Sequence, residues 1–214
     1  MEDIRRWTRT VIPGGATVFI CLLCLRLLFP ELLPASGEAM DPSKWGIEWA
    51  GLGLVLATLT GYMQSQVYFG VGWERMTLEY EMFPELEVPD SERTRSRCWA
   101  EVSHRWQAHA DCVPGFNSIN SRMEALGDAL HALGGVLMGS AMVAATLLPL
   151  AFCPAYKSKN GDQLAATLVL VLWLLVFGRG YAALKKRFKA YVCENWRYLL
   201  AHALKCERVL RGAK

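Results

Sequence analysis

Apolar positions in this chain gather into four long runs, Val11 to Leu33, Trp49 to Phe69, Ala129 to Phe152 and Leu164 to Leu184, separated by segments where apolar and charged residues mix. Each run is close to the ~20 residues that a helix needs to cross ~30 Å of hydrocarbon. The pattern predicts an all-α polytopic membrane protein. Two transmembrane hairpins (1–72 and 127–181) flank a helical cytoplasmic insert (73–126), and a basic amphipathic cytoplasmic helix (182–214) follows.

The polar segments have helical patterning of their own. Trp73 to Leu86 extends the second run until Pro84 and Pro89 interrupt it, and Ser91 is placed to cap a helix reaching about Cys112. Trp99, Val102, Trp106 and Ala110 would form its apolar stripe. Pro114-Gly115-Phe116-Asn117 reads as a turn, and Ser121-Arg122-Met123-Glu124 has the capping-box pattern that would open the helix entering the third span. In the tail, Val192, Trp196, Leu199, Ala203, Cys206 and Leu210 follow a heptad seam, and Gly178 with Gly180 marks an expected bend before it. That tail helix can lie on anionic lipid, pair with its copies, or dock on the middle segment.

Inside the bilayer, Gly53, Ala57, Gly61 and Ser65 recur every fourth residue of span two, and Gly135 with Gly139 marks span three. Small residues at this spacing let backbones approach closely, which matters where hydrophobic burial offers little drive between helices. The stripes predict packing of span two on span three, with self-association as the alternative.

Charge sets the expected orientation. Nineteen of the 23 Lys and Arg residues fall before span one, between spans two and three, or from Arg179 onward, while the two short connections hold Lys44, Lys157 and Lys159. The positive-inside rule then places both termini and the insert in the cytoplasm of an inner or plasma membrane. A signal peptide is the competing reading of the first run, with Arg5 and Arg6 ahead of it and Pro34-Ala35-Ser36-Gly37 near a cut. The net charge of +3 conceals opposed segments: −6 between Glu74 and Glu92, and +8 from Arg179 to Lys214. Such a balance favours docking of the tail on the insert.

Cysteine usage agrees with a reducing side, because four of the seven (Cys98, Cys112, Cys193, Cys206) lie in segments assigned to the cytoplasm. Cys21 and Cys24 have the C-x-x-C spacing but sit within span one, where packing is the expected role.

Few residues suggest chemistry. Arg26 lies inside the first run, seven residues before Leu33, and a mid-span arginine is costly. Snorkelling toward Glu31 and Glu48 would make an intramembrane ion pair or the mouth of a pore. Glu124, Asp128 and His131 share one helix face where span three begins; they are weak metal candidates, since a di-iron bundle needs a repeated Glu-x-x-His that is not present, and a solvated helix start is the expected role. No nucleotide-binding, hydrolase or zinc-protease motif occurs, and neither a cofactor nor nucleic acid is expected.

In hydropathy and topology the chain resembles the small four-span subunits of some bacterial antiviral defence systems, in which a membrane protein senses damage or forms a pore and a cytoplasmic partner acts with it. The likeness covers outline and no residue motif, so no functional position carries over. The leading expectation is a non-enzymatic homo-oligomeric inner-membrane subunit that docks a cytoplasmic partner, with Trp99, Trp106, Val192, Trp196 and Leu199 as docking faces. The alternatives are an ion-conducting pore lined by span one and, more remotely, a membrane oxidoreductase or lipid-modifying enzyme.

Overall fold

The computed structural model describes residues 2–29, 47–68, 82–83, 95–108, 113, 115–152 and 160–212. These form five helices: α1 (Glu2–Leu28), α2 (Ile47–Val67), α3 (Arg95–Ala108), α4 (Phe116–Ala151) and α5 (Asn160–Gly212), with no strand among the described residues. Three helices contain segments long and apolar enough to cross a membrane: Arg9–Leu28 in α1, Phe116–Pro149 in α4 and Asp162–His202 in α5. The chain divides into two compact units. One comprises Met1–Tyr68 with Asp128–Ala182, the other Phe69–Gly127 with Ala183–Lys214.

In the first unit, α1 and α2 meet backbone to backbone. A β-carbon on Gly14 would collide with the Ala57 carbonyl, and one on Gly61 with the Thr10 carbonyl. Pro13, inside α1, would be struck by a side chain on Gly135 of α4, and Tyr68 would be struck by one on Gly134. The glycines thus act where helices approach too closely for any side chain. Beyond them the unit closes with an apolar cluster of Ile20, Cys24 and Leu28 from α1, Val143 and Leu147 from α4, and Ala166 and Leu170 from α5. Cys24 is fully buried there and Cys21 half-buried, both as free thiols.

Two packing expectations change. The small-residue face of α2 packs on α1 as well as on α4, and it consists of Ala57, Gly61, Gln64 and Tyr68, all buried. Gly53 is exposed with nothing near it, and Ser65 is half-buried with its hydroxyl bonded to the Tyr62 carbonyl. A strict four-residue repeat drifts around a 3.6-residue helix, so alternate steps of four and three keep one face.

The second unit has an aromatic core. Trp106 and Phe116 pack at 6.5 Å between ring centres, Phe83 meets Trp196 edge-on at 5.6 Å, and Phe188 packs near Gly127. Cys193 Sγ donates to the Met82 carbonyl at 3.5 Å, so the tail portion of α5 docks on residues 82–83 of the middle segment.

Helix boundaries also differ from expectation. Helix α4 opens at Phe116, not Ser121, because Gly115 takes φ +76° and its carbonyl at once receives the amides of Ser118 and Ile119. The Ser121 hydroxyl bonds back to the Ser118 carbonyl and Glu124 accepts from Asn120, so no capping box forms. Helix α5 continues through Gly178 and Gly180 without interruption. Helix α3 begins at Arg95, and Ser91 lies outside the described residues.

Gly61→Ala is expected to destabilise the protein by roughly the 1–3 kcal/mol typical of overpacking, read as a lower unfolding temperature in lipid nanodiscs. Gly53→Ala should be neutral or slightly stabilising, as its site is open and alanine favours helix.

Candidate functional site: a polar seam between the membrane helices

In the first unit one stripe of α4 sets the polar side chains of Asp128, His131 and Ser140 beside the bare backbone of Gly135 and Gly139, facing α1, α2 and α5. This stretch rises about 18 Å along the helix. At its start, Arg9 of α1 grips Asp128: Nε donates to Oδ1 at 2.7 Å and Nη2 makes a second bond to the same oxygen. The Asp128 side chain is 9% exposed and the Arg9 side chain 40%. The pair therefore places its acid inside and its base at the edge, where the long arginine stem reaches water.

One turn further on, His131 is buried edge-on to Tyr68 of α2 at 5.6 Å between ring centres. The Tyr68 hydroxyl shares a 2.8 Å hydrogen bond with that of Tyr181 of α5, and the rings are perpendicular. Both phenols are buried, and pairing them gives each oxygen a hydrogen-bond partner in an apolar setting. Gly134 makes this possible, since any side chain there would strike the Tyr68 ring.

Farther along α4, Thr17 of α1 and Gln64 of α2 converge on Gly139. Beside it the Ser140 hydroxyl donates to the Val136 carbonyl at 2.6 Å and accepts from Trp173 Nε1 of α5 at 2.8 Å. The Trp173 ring packs on Phe177 at 4.6 Å and near Phe19 at 6.1 Å. Every helix of the unit thus contributes a polar group to one line. Within a bilayer such groups are expensive unless paired, and they serve as interhelical ties or as sites of function.

The expected site residues fare unevenly. Gly135 and Gly139 lie at close contacts, as do Ala57 and Gly61, whereas Gly53 does not. Arg26 is half-buried in the last turn of α1 instead of mid-span, because the helix ends at Leu28 ahead of Pro30. There the helix dipole favours a cation. Glu31 lies outside the described residues, as does the side chain of Glu48. Asp128 and His131 belong to the seam, while Glu124 is bonded to Asn120, and no three potential metal-ligating side chains cluster among the described residues.

The docking faces are a correction. Trp106, Val192, Trp196 and Leu199 are buried within the second unit, at 1% exposure or less, because the middle segment and α5 supply each other's apolar face. The side chain of Trp99 lies outside the described residues.

Arg9, Thr17, Gln64, Tyr68, Trp173 and Tyr181 were not singled out from the sequence. Their signal is a polar or amphipathic letter inside an apolar run, which composition averages away. Comparison of the chain with protein-family models, with curated proteins and with solved structures finds no match.

A double-mutant cycle on Arg9→Ala and Asp128→Asn, read by unfolding in nanodiscs, is expected to give a coupling energy of about 1 kcal/mol, moderated by the exposure of Arg9. Additive losses would show that the two side chains act separately.

Proposed function

We propose that this protein is a non-enzymatic, homo-oligomeric subunit of an inner or plasma membrane that docks a cytoplasmic partner and couples membrane events to it. The observation that carries the reading is that α4 and α5 belong to both units without a break. With 36 and 53 residues they are far longer than the ~20 that a bilayer needs. A helix that runs on from one unit into the next is a means by which displacement in one can be felt in the other. The polar seam, which ties α1, α2 and α5 to α4, is the element whose rearrangement would move those helices.

In this reading α2 is the fourth span. Its Leu52, Val55, Leu56, Leu59 and Met63 are exposed, which suits contact with lipid, and its open Gly53 suits approach by a second copy. Both termini are cytoplasmic, in accord with the distribution of Lys and Arg. With Trp106 and Trp196 buried, the docking surface is the outer face of α5, where Lys186, Arg187 and Arg197 are exposed. The partner then presents an acidic surface. A sensor or effector role in bacterial antiviral defence is the form of this reading that the outline resemblance suggests.

Affinity purification from native membranes after brief cross-linking is the test. A cytoplasmic protein should co-purify, and the triple variant Lys186→Glu, Arg187→Glu, Arg197→Glu should lose it while keeping its helical circular dichroism. Repeated recovery of the protein alone would sink the partner claim.

A conducting pore lined in part by α1 is the second reading, favoured by the half-buried Arg26 and by the polar line through the bundle. Purified protein in planar bilayers should then conduct, and Arg26→Leu should change conductance while leaving assembly intact. Silence under every ligand tried counts against it.

A further inference from the structure

Hydroxyl groups carried by the membrane helices follow a common habit. Thr58, Ser140, Thr146 and Thr167 each donate to the carbonyl four residues back, at 2.7, 2.6, 2.9 and 2.8 Å. That bond satisfies a hydroxyl without help from another helix. Thr17 forgoes it. Its Oγ1 has no hydrogen-bond partner among the described residues although Thr17 is only 6% exposed, and it stands where a side chain on Gly139 would begin. Gln64 is 3% exposed and brings its amide from α2 to the same point; its Oε1 likewise has no partner.

A hydroxyl and a carboxamide from two helices therefore converge on the bare backbone of a third, the carboxamide with its Nε2 nearest Gly139, and Thr17 Oγ1 and Gln64 Oε1 are both left without a partner among the described residues. Leaving both unmet is costly. Thr17 makes the arrangement more pointed, because its own helix offers a carbonyl one turn back at Pro13. A single water satisfies both, accepting the Thr17 hydroxyl proton and donating to Gln64 Oε1. Buried waters occupy such places, typically with two to four polar partners.

We propose that Thr17, Gln64 and Gly139 form a binding site for a single water molecule within the membrane bundle, bridging Thr17 Oγ1 and Gln64 Oε1. Gly139 is required because a β-carbon there would fall on both polar side chains. The neighbouring Ser140 takes no part, being closed by its bonds to the Val136 carbonyl and Trp173 Nε1. The site lies about 16 Å along α4 from Asp128, so its water is separate from any that solvates the Arg9–Asp128 pair. The inference stands whether or not the protein acts as a coupling subunit.

Water-edited solid-state NMR on the full chain in lipid bilayers tests it, combined with thermal unfolding. The expected result is magnetisation transfer from water to the Gln64 side-chain amide, retained in Thr17→Ser and lost in Thr17→Val. Thr17→Val and Gln64→Leu should each lower the unfolding temperature, by about 2–4 °C, and the double variant little further, because both remove the same bridge. Absence of transfer to Gln64 in the unaltered protein overturns the proposal. A destabilised Thr17→Val without any water signal assigns a direct Thr17–Gln64 bond instead, and a Thr17→Val that gains stability means that the oxygens are dry; either result also overturns it. Should the apolar variants not fold, the transfer measured in the unaltered protein and in Thr17→Ser decides the matter.

Discussion

Contact between the backbones of α1 and α2 at Gly14 and Gly61 is the constraint on which the rest of the membrane unit depends. Helices already surrounded by lipid gain little from burying further apolar surface, so their association rests on dispersion at close range and on polar ties. Each glycine meets a carbonyl of the opposite helix, Ala57 in one case and Thr10 in the other, which leaves no room for a β-carbon on either side. Once that contact is made, Pro13 is set against Gly135, Thr17 against Gly139 and Tyr68 against Gly134, and the position of α4 follows.

The polar seam is a consequence of the same closeness. Glycines on α4 admit large or polar groups from its neighbours, and those groups must then find partners inside the bundle. Tyr68 finds Tyr181, Trp173 finds Ser140, and Asp128 finds Arg9. The order along α4 is informative. The charged pair comes first, the phenols and the histidine next, then the uncharged polar groups, and finally an apolar cluster around Cys24, Val143 and Leu170.

Much of the helical plan was legible in the sequence because hydrophobic runs of membrane length have few other meanings. The same letters misled over detail for identifiable reasons. A four-residue repeat of small residues drew Gly53 and Ser65 into a packing face, whereas the helix turns past them and uses Gln64 and Tyr68. Ser121 and Glu124 matched a cap, but the turn at Gly115 starts the helix sooner. Trp106 and Trp196 read as docking faces in the sequence, and yet Phe116 and Phe83 pack against them. The seam was mostly illegible, because which polar letters of separate spans meet is a matter of rotation and depth. Arg9 is one of the charges ahead of the first apolar run and Gln64 one letter within the second, and only the packed helices bring them into one line with Asp128 and Thr17.

The close approach of α1 and α2 is open to direct chemical measurement. A β-carbon on Gly15 would stand 4.0 Å from that of Ala57, within the range that a disulfide spans. In a chain whose native cysteines are replaced, Gly15→Cys with Ala57→Cys should cross-link within single chains under mild oxidation in native membranes, while Gly15→Cys with Gly53→Cys should not. Equal reaction of both pairs, or bridges formed only between chains, would contradict the packing from which the seam is built.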